Sequence, residues 1–153
     1  MRQSKHALFS MAKKLFLLHL VFIIITVIML NFGPLAIISS LIYILALFLA
    51  GLQGTRIHKT EALTTLAAGY LSQIIGILSS FFVLTKSLWN FSIEPFEFIA
   101  QIWQTPPYPL YPLLPPTSYF DMPLYFFITI TASFVLPLIP ALGAGLSRLF
   151  TSI

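Results

Sequence analysis

At 153 residues, with 58% hydrophobic, 8% charged and a mean hydropathy of +0.96, the chain has too little polar surface to cover a soluble domain of its size. Cysteine is absent, which excludes disulfides, thiolate nucleophiles and thiolate metal sites. The formal charge of +4 comes from basic residues scattered between apolar runs, so no contiguous stripe points to nucleic acid.

Apolar runs at Leu15 to Phe32, Pro34 to Leu52, Ala62 to Thr85 and Pro123 to Phe150 approach or exceed the length needed to cross a hydrocarbon layer of roughly 30 Å at about 1.5 Å per residue. The sequence therefore predicts an all-α integral membrane protein, a bundle of four transmembrane helices forming one membrane domain over residues 1–153, with residues 86–122 as an extracytoplasmic segment. Arg2, Lys5, Lys13 and Lys14 followed by Leu15 look like the start of a secretory signal. The run ends in Asn31-Phe32-Gly33-Pro34 instead of a small-residue cleavage site, which predicts an uncleaved first span.

His19 is the ionisable residue deep in the first run, with Thr26 two turns on along the same face. An ionisable group inside a membrane is a functional candidate; the competing reading is a neutral imidazole hydrogen-bonded to a neighbouring helix or to interfacial water. Gly33-Pro34 predicts a tight hairpin into the second span, where Ala36, Ser39, Tyr43, Ala46 and Ala50 share a face and Tyr43 needs a hydroxyl partner. Gly51 and Gly54 are expected to end that helix, and Thr60 to cap the next.

The third span is sorted by residue size. Thr65, Gly69, Ser72, Gly76 and Ser79 or Ser80 form one stripe, and Tyr70, Ile74, Ile77, Leu78 and Phe81 face away. Lipid does not discriminate between apolar faces, so this sorting predicts close packing against another helix.

Within residues 86–122, Ser92 is expected to cap a short interfacial helix bearing the polar stripe Glu94, Glu97, Gln101 and Gln104, with its aromatic side in lipid or on the bundle. The run Thr105 to Thr117 is dense in proline and is expected to be an extended, polyproline-like strap anchored by Tyr108 and Tyr111, or a ligand for an aromatic groove. Asn90-Phe91-Ser92 is a glycosylation sequon where a eukaryotic secretory context applies. Asp121 is expected to cap the last span.

In that span Pro137 and Pro140 free the carbonyls of Ser133 and Leu136 and predict a bend. Its small face, including Thr129, Ser133, Gly143 and Ala144, is expected to meet the third span. Basic residues assign the sides: Arg2, Lys5, Lys13, Lys14, Arg56, Lys59 and Arg148 fall on one side and Lys86 on the other. That places a cell-membrane protein with both termini in the cytoplasm.

Glu94 and Glu97 lack a third ligand or a partner that would split their acidities, so a solvated face is the better reading than a metal or acid-base site. Ser10 and Lys13 match Ser-x-x-Lys without its companion motifs. The sequence thus points to no catalytic residue, metal or cofactor. The leading expectation is a non-enzymatic accessory or structural subunit of a membrane complex, held to a membrane-protein partner or to its own copies by lateral helix packing. The runner-up is an oligomeric small-solute or ion transporter component, with Gln73, Thr129 and Ser133 beside Pro137 and Pro140 forming an uncharged polar cavity.

Overall fold

The computed structural model describes residues 2–58, 61–86, 92–119 and 122–151, and these are mostly helical. Helix α1 (Arg2–Met29) passes into a 3-10 turn at Leu30–Phe32 before Gly33, whose φ of 57° reverses the chain into α2 (Pro34–His58). That left-handed backbone angle suits glycine because a Cβ would strain it. The Ala36 N–H closes the turn by donating to the Gly33 carbonyl at 3.0 Å.

Helix α2 does not stop at Gly51 or Gly54, as the sequence suggested, but continues to His58. Gly51 serves instead as a contact point. A Cβ there would overlap the Pro140 carbonyl oxygen and lie 2.7 Å from its carbon.

The third apolar run is broken. Helix α3 (Ala62–Ser72) and α4 (Ile74–Leu84) meet at Gln73 with a 65° bend. The Gln73 N–H is still satisfied, donating to the Gly69 and Tyr70 carbonyls at 3.1 and 3.2 Å. Helix α5 (Glu94–Trp103) comes next, then a 3-10 helix over Tyr108–Leu113 and a minimal antiparallel pair, β1 (Ser118–Tyr119) with β2 (Met122–Pro123). Helix α6 (Leu124–Val135) and α7 (Leu138–Thr151) close the chain, bent by 44° at Leu136 and Pro137.

The proline-rich run is therefore a 3-10 helix over Tyr108–Leu113, where an extended strap was expected, and becomes extended only from Leu114. The residues between its prolines keep their N–H groups, and Tyr108, Leu110 and Leu114 donate to the Thr105, Pro107 and Tyr111 carbonyls at 3.2, 3.0 and 3.0 Å. Such three-residue bonds need only some of the donors, which is why a 3-10 helix survives a density of proline that an α-helix would not. Thr60 and Asp121, expected as caps, and Asn90 of the sequon lie outside the described residues.

Among the described residues, α1 and α2 are each long and apolar enough to cross a membrane, and the pairs α3 with α4 and α6 with α7 bring the total to four if each bent pair is one span. The half of the molecule holding the chain ends is built from α1, α2, α3 and α7 around Met11, Leu15, Tyr43, Leu47, Ala68 and Leu136. Arg148 of α7 lies 3.8 Å from Glu61 at its edge, an exposed pair worth little to stability. The other half is built from α4, α5, α6 and the 3-10 helix, which rests on α2. Between the halves lie both bends.

Candidate functional site

A closed loop of hydrogen bonds joins the bends to the rest of the molecule. His19 of α1 is fully buried, with Nε2 at 2.8 Å from the Trp103 carbonyl. A carbonyl only accepts, so Nε2 carries the proton. In the neutral ring Nδ1 then accepts, and the Tyr43 hydroxyl of α2 donates to it at 2.7 Å, with the Gln73 amide nitrogen at 3.4 Å. Trp103 Nε1 donates to Gln73 Oε1 at 2.7 Å and its ring lies 4.5 Å from the imidazole, centroid to centroid. Residues from α1, α2, the first bend and α5 thus satisfy one another without a charge.

The next layer ties in the second bend. Gln104, the residue that ends α5, donates from Nε2 to Ser133 Oγ of α6. Gly76 of α4 makes this possible, because a Cβ would overlap Ser133 Oγ and Trp103 Cδ1. Ser40 of α2 donates to the Pro106 carbonyl at 2.6 Å. Gly69 faces Pro137, with a Cβ placed only 3.0 Å from the proline Cα.

The interfacial-helix expectation is corrected at Gln104. Glu94 and Gln101 are exposed and Trp103, on the aromatic side, is buried on the bundle as one form of that expectation had it, but Gln104 is buried too, so the end of α5 is inserted between the other helices. The polar stripe breaks at Gln104 because the helix ends at Trp103 and the helical repeat no longer sets the direction of the next residue.

The small-residue positions Thr65, Gly69, Ser72, Gly76 and Ser80 are all buried within the chain. Gly143 and Ala144, expected against the third span, lie instead on α2. A Cβ on Gly143 would overlap the Phe48 carbonyl oxygen, and the Thr55 hydroxyl reaches the Ala144 carbonyl at 3.4 Å. The cause is the bend at Pro137, which turns α7 along α2.

Of the residues named for a polar cavity, Gln73 and Ser133 sit in these layers, and Pro137 and Pro140 back them against Gly69 and Gly51. Thr129, one turn from Ser133, donates to the Tyr125 carbonyl at 2.8 Å. The Leu136 carbonyl freed by Pro140 is taken up by the Ile139 N–H at 3.1 Å.

Several buried polar atoms have no hydrogen-bond partner among the described residues: Gln104 Oε1, Ser80 Oγ, Thr65 Oγ1 and the Tyr111 hydroxyl. Burial pushes the Tyr111 hydroxyl up to about 12, opposed by Thr129, which stays outside hydrogen-bonding geometry. Tyr111 is therefore a neutral donor at physiological pH.

Sequence reasoning missed Trp103, Gln104 and Ser40. The available signal was an indole and an amide side by side at a helix end. Among the described residues no three His, Asp or Glu side chains converge. Both nitrogens of His19 are engaged, so what the site offers is uncharged hydrogen bonding. Comparison with known protein families, curated proteins and solved structures finds no match.

Proposed function

We propose that the chain is a four-span protein of the cell membrane, with α1, α2, the α3–α4 pair and the α6–α7 pair each crossing once, and that it handles a small uncharged solute as a transporter component. Both termini are cytoplasmic in this reading and residues 86–122 lie outside, in keeping with the distribution of basic residues. The observation that carries the function is the meeting of both bends at one buried, uncharged polar cluster. Broken helices are tolerated at membrane depth where other protein groups or a cavity satisfy the freed backbone, and transporters place their solute sites at such breaks.

The competing reading, an accessory subunit acting through small-residue faces, loses its surface. Gly51, Gly69, Gly76 and Gly143 are each in close contact within the chain. What α1 and α2 present outward is large and apolar, including Val21, Ile24, Leu41 and Leu45, as any lipid-facing helix would.

The test is swelling of reconstituted vesicles in a panel of neutral polyols, amides and alcohols, monitored by light scattering. Swelling above protein-free vesicles for some solutes, lost in Gln73→Leu and Thr129→Val, is the expected result. Folded protein that speeds no solute overturns the transport reading. A second polypeptide accompanying the chain in fixed ratio from its native membrane would restore the accessory reading.

A further inference from the structure

Trp103 gives the buried cluster two poles of fixed sign, a carbonyl that only accepts and an indole N–H that only donates. Together they set the direction of every bond between them. The carbonyl, 2.8 Å from His19 Nε2, requires a proton on that nitrogen. The indole, 2.7 Å from Gln73 Oε1, turns the amide so that its NH₂ faces His19 Nδ1 at 3.4 Å, and the Tyr43 hydroxyl adds a second donor to Nδ1 at 2.7 Å. The circuit from Trp103 through Gln73 and His19 back to Trp103 therefore closes on one form of the imidazole, the neutral ring with no proton on Nδ1.

A second proton breaks the circuit. Taken from water during local opening, it adds to the Nδ1 lone pair, and the charged ring then points an N–H at the Tyr43 hydroxyl and at the Gln73 NH₂. The hydroxyl can turn and accept, but an NH₂ cannot. Turning the amide end for end offers Oε1 to the charged ring, a charge-assisted bond stronger than the neutral one it replaces, and sets the NH₂ against the indole N–H, donor to donor.

Nothing facing the ring offsets a charge on it. From α2 the titratable group is Tyr43, from the first bend comes Gln73, and Tyr70 of α3 is turned to the Phe134 carbonyl. The 3-10 helix carries Tyr111, a neutral donor. Glu97 and Glu94 stand six and nine residues before Trp103, and Glu61 twelve before Gln73. On α1 itself the exposed Lys13 and Lys14 precede His19 by six and five residues and add like charge. Among the described residues no carboxylate bonds to His19.

We propose that protonation of His19 releases Trp103, making the end of α5 an acid-operated latch on the polar cluster. The closed arrangement accommodates the neutral ring alone, so by linkage a bound proton favours the open one. The inference deepens the solute-handling reading, whose site the latch would open, and its use rests on that reading.

The test follows Trp103 by fluorescence in the full chain carrying Trp89→Phe, in neutral-phospholipid nanodiscs, with acrylamide as an uncharged quencher. Lowering the pH from about 7 to about 4 raises the quenching constant reversibly by about threefold. His19→Gln, which can still donate to the Trp103 carbonyl but does not titrate, keeps the low value throughout. Gln73→Leu leaves the indole without its acceptor and shows the high value at both ends of the range. The two variants depart in opposite directions, so misfolding does not reproduce the pattern. An unchanged constant in the parent chain, or an equal rise in His19→Gln, overturns the latch. Acid-dependent access in protein that swells no vesicle supports the latch and sinks the transport reading; swelling with access that ignores pH sinks the latch alone.

Discussion

Replacing Gly51 by alanine should destabilise the protein, while the same change at Gly145 should not. Both glycines are helical, so both substitutions gain the intrinsic helical preference of alanine, about 1 kcal/mol. They differ in what the new methyl meets. At Gly145 the methyl would meet no heavy atom of the described residues within 4 Å beyond its own stretch of helix, whereas at Gly51 it would overlap the Pro140 carbonyl oxygen and sit 2.7 and 2.9 Å from its carbon and Cα, against an ordinary contact of 3.4 Å or more. All of these atoms are backbone, so no side chain can swing aside; α2 and α7 must part. Overpacking of this kind costs about 1–3 kcal/mol, which leaves Gly51→Ala destabilised by about 0–2 kcal/mol net and Gly145→Ala neutral or stabilised by up to about 1. At about 2–4 °C per kcal/mol for a chain of this size, thermal unfolding in one detergent at fixed concentration separates the two variants by several degrees. If Gly51→Ala melts at or above Gly145→Ala, the close approach of α2 and α7 is wrong.

Gly33→Ala meets nothing within 4 Å among the described residues beyond its chain neighbours, yet should cost about 1–2 kcal/mol, because φ of 57° is unfavourable for an L side chain; an unchanged melting temperature would refute the turn. His19→Phe keeps the ring but strands the Trp103 carbonyl and the Tyr43 hydroxyl, with a cost of about 0.6–1.7 kcal/mol per bond in lipid, read as a lower melting temperature and altered Trp103 emission. Gln73→Leu strands Trp103 Nε1 and should destabilise by a similar amount, about 1 kcal/mol, with the end of α5 more open to proteolysis. Leu45→Ala, at an exposed position, should change stability by less than about 0.5 kcal/mol in the same assay.

The long apolar helices were legible because their signal is cumulative: length, hydropathy and the Gly33-Pro34 turn agree. The bend at Pro137 was legible from a missing donor. The bend at Gln73 was not, since no proline or glycine marks it, and its side chain is held by Trp103, thirty residues away. Periodicity assigned Gln104 to a solvated stripe because it extrapolates a helix through its own end, and the residue that caps α5 turns inward instead. Size sorting identified the packing faces of the third and fourth runs, and Gly69 against Pro137 and Gly76 against Ser133 join the two as expected, but it could not assign every residue on those faces its partner. Past the bend the partner depends on the bend angle, which is how Gly143 came to lie on α2. Gly51 and Gly54 illustrate the same ambiguity, since a glycine that ends a helix and one that admits a neighbouring backbone look alike in sequence.

The two halves of the molecule differ in what holds them, and this fixes where movement can occur. In lipid, burying one apolar side chain against another gains little over contact with acyl chains, so close backbone contact and hydrogen bonds carry the packing. In the half holding the chain ends, α2 and α7 touch at Gly51 against the Pro140 carbonyl and at Gly143 against the Phe48 carbonyl, backbone to backbone. Separating them breaks both at once. In the other half α5 is held by side-chain bonds at its end, from His19 and Gln73 to Trp103, from Ser133 to Gln104, and from Ser40 to nearby Pro106. Neutral bonds of this kind can be exchanged singly for bonds to a ligand hydroxyl or to water, each at modest cost. The Gln73 and Leu136 backbone groups at the bends are already satisfied within the chain, so the bends need no ligand to persist. The end of α5, held by bonds that can be exchanged one at a time, is therefore the part of the molecule that gives way most readily, whereas α2 and α7 are joined backbone to backbone.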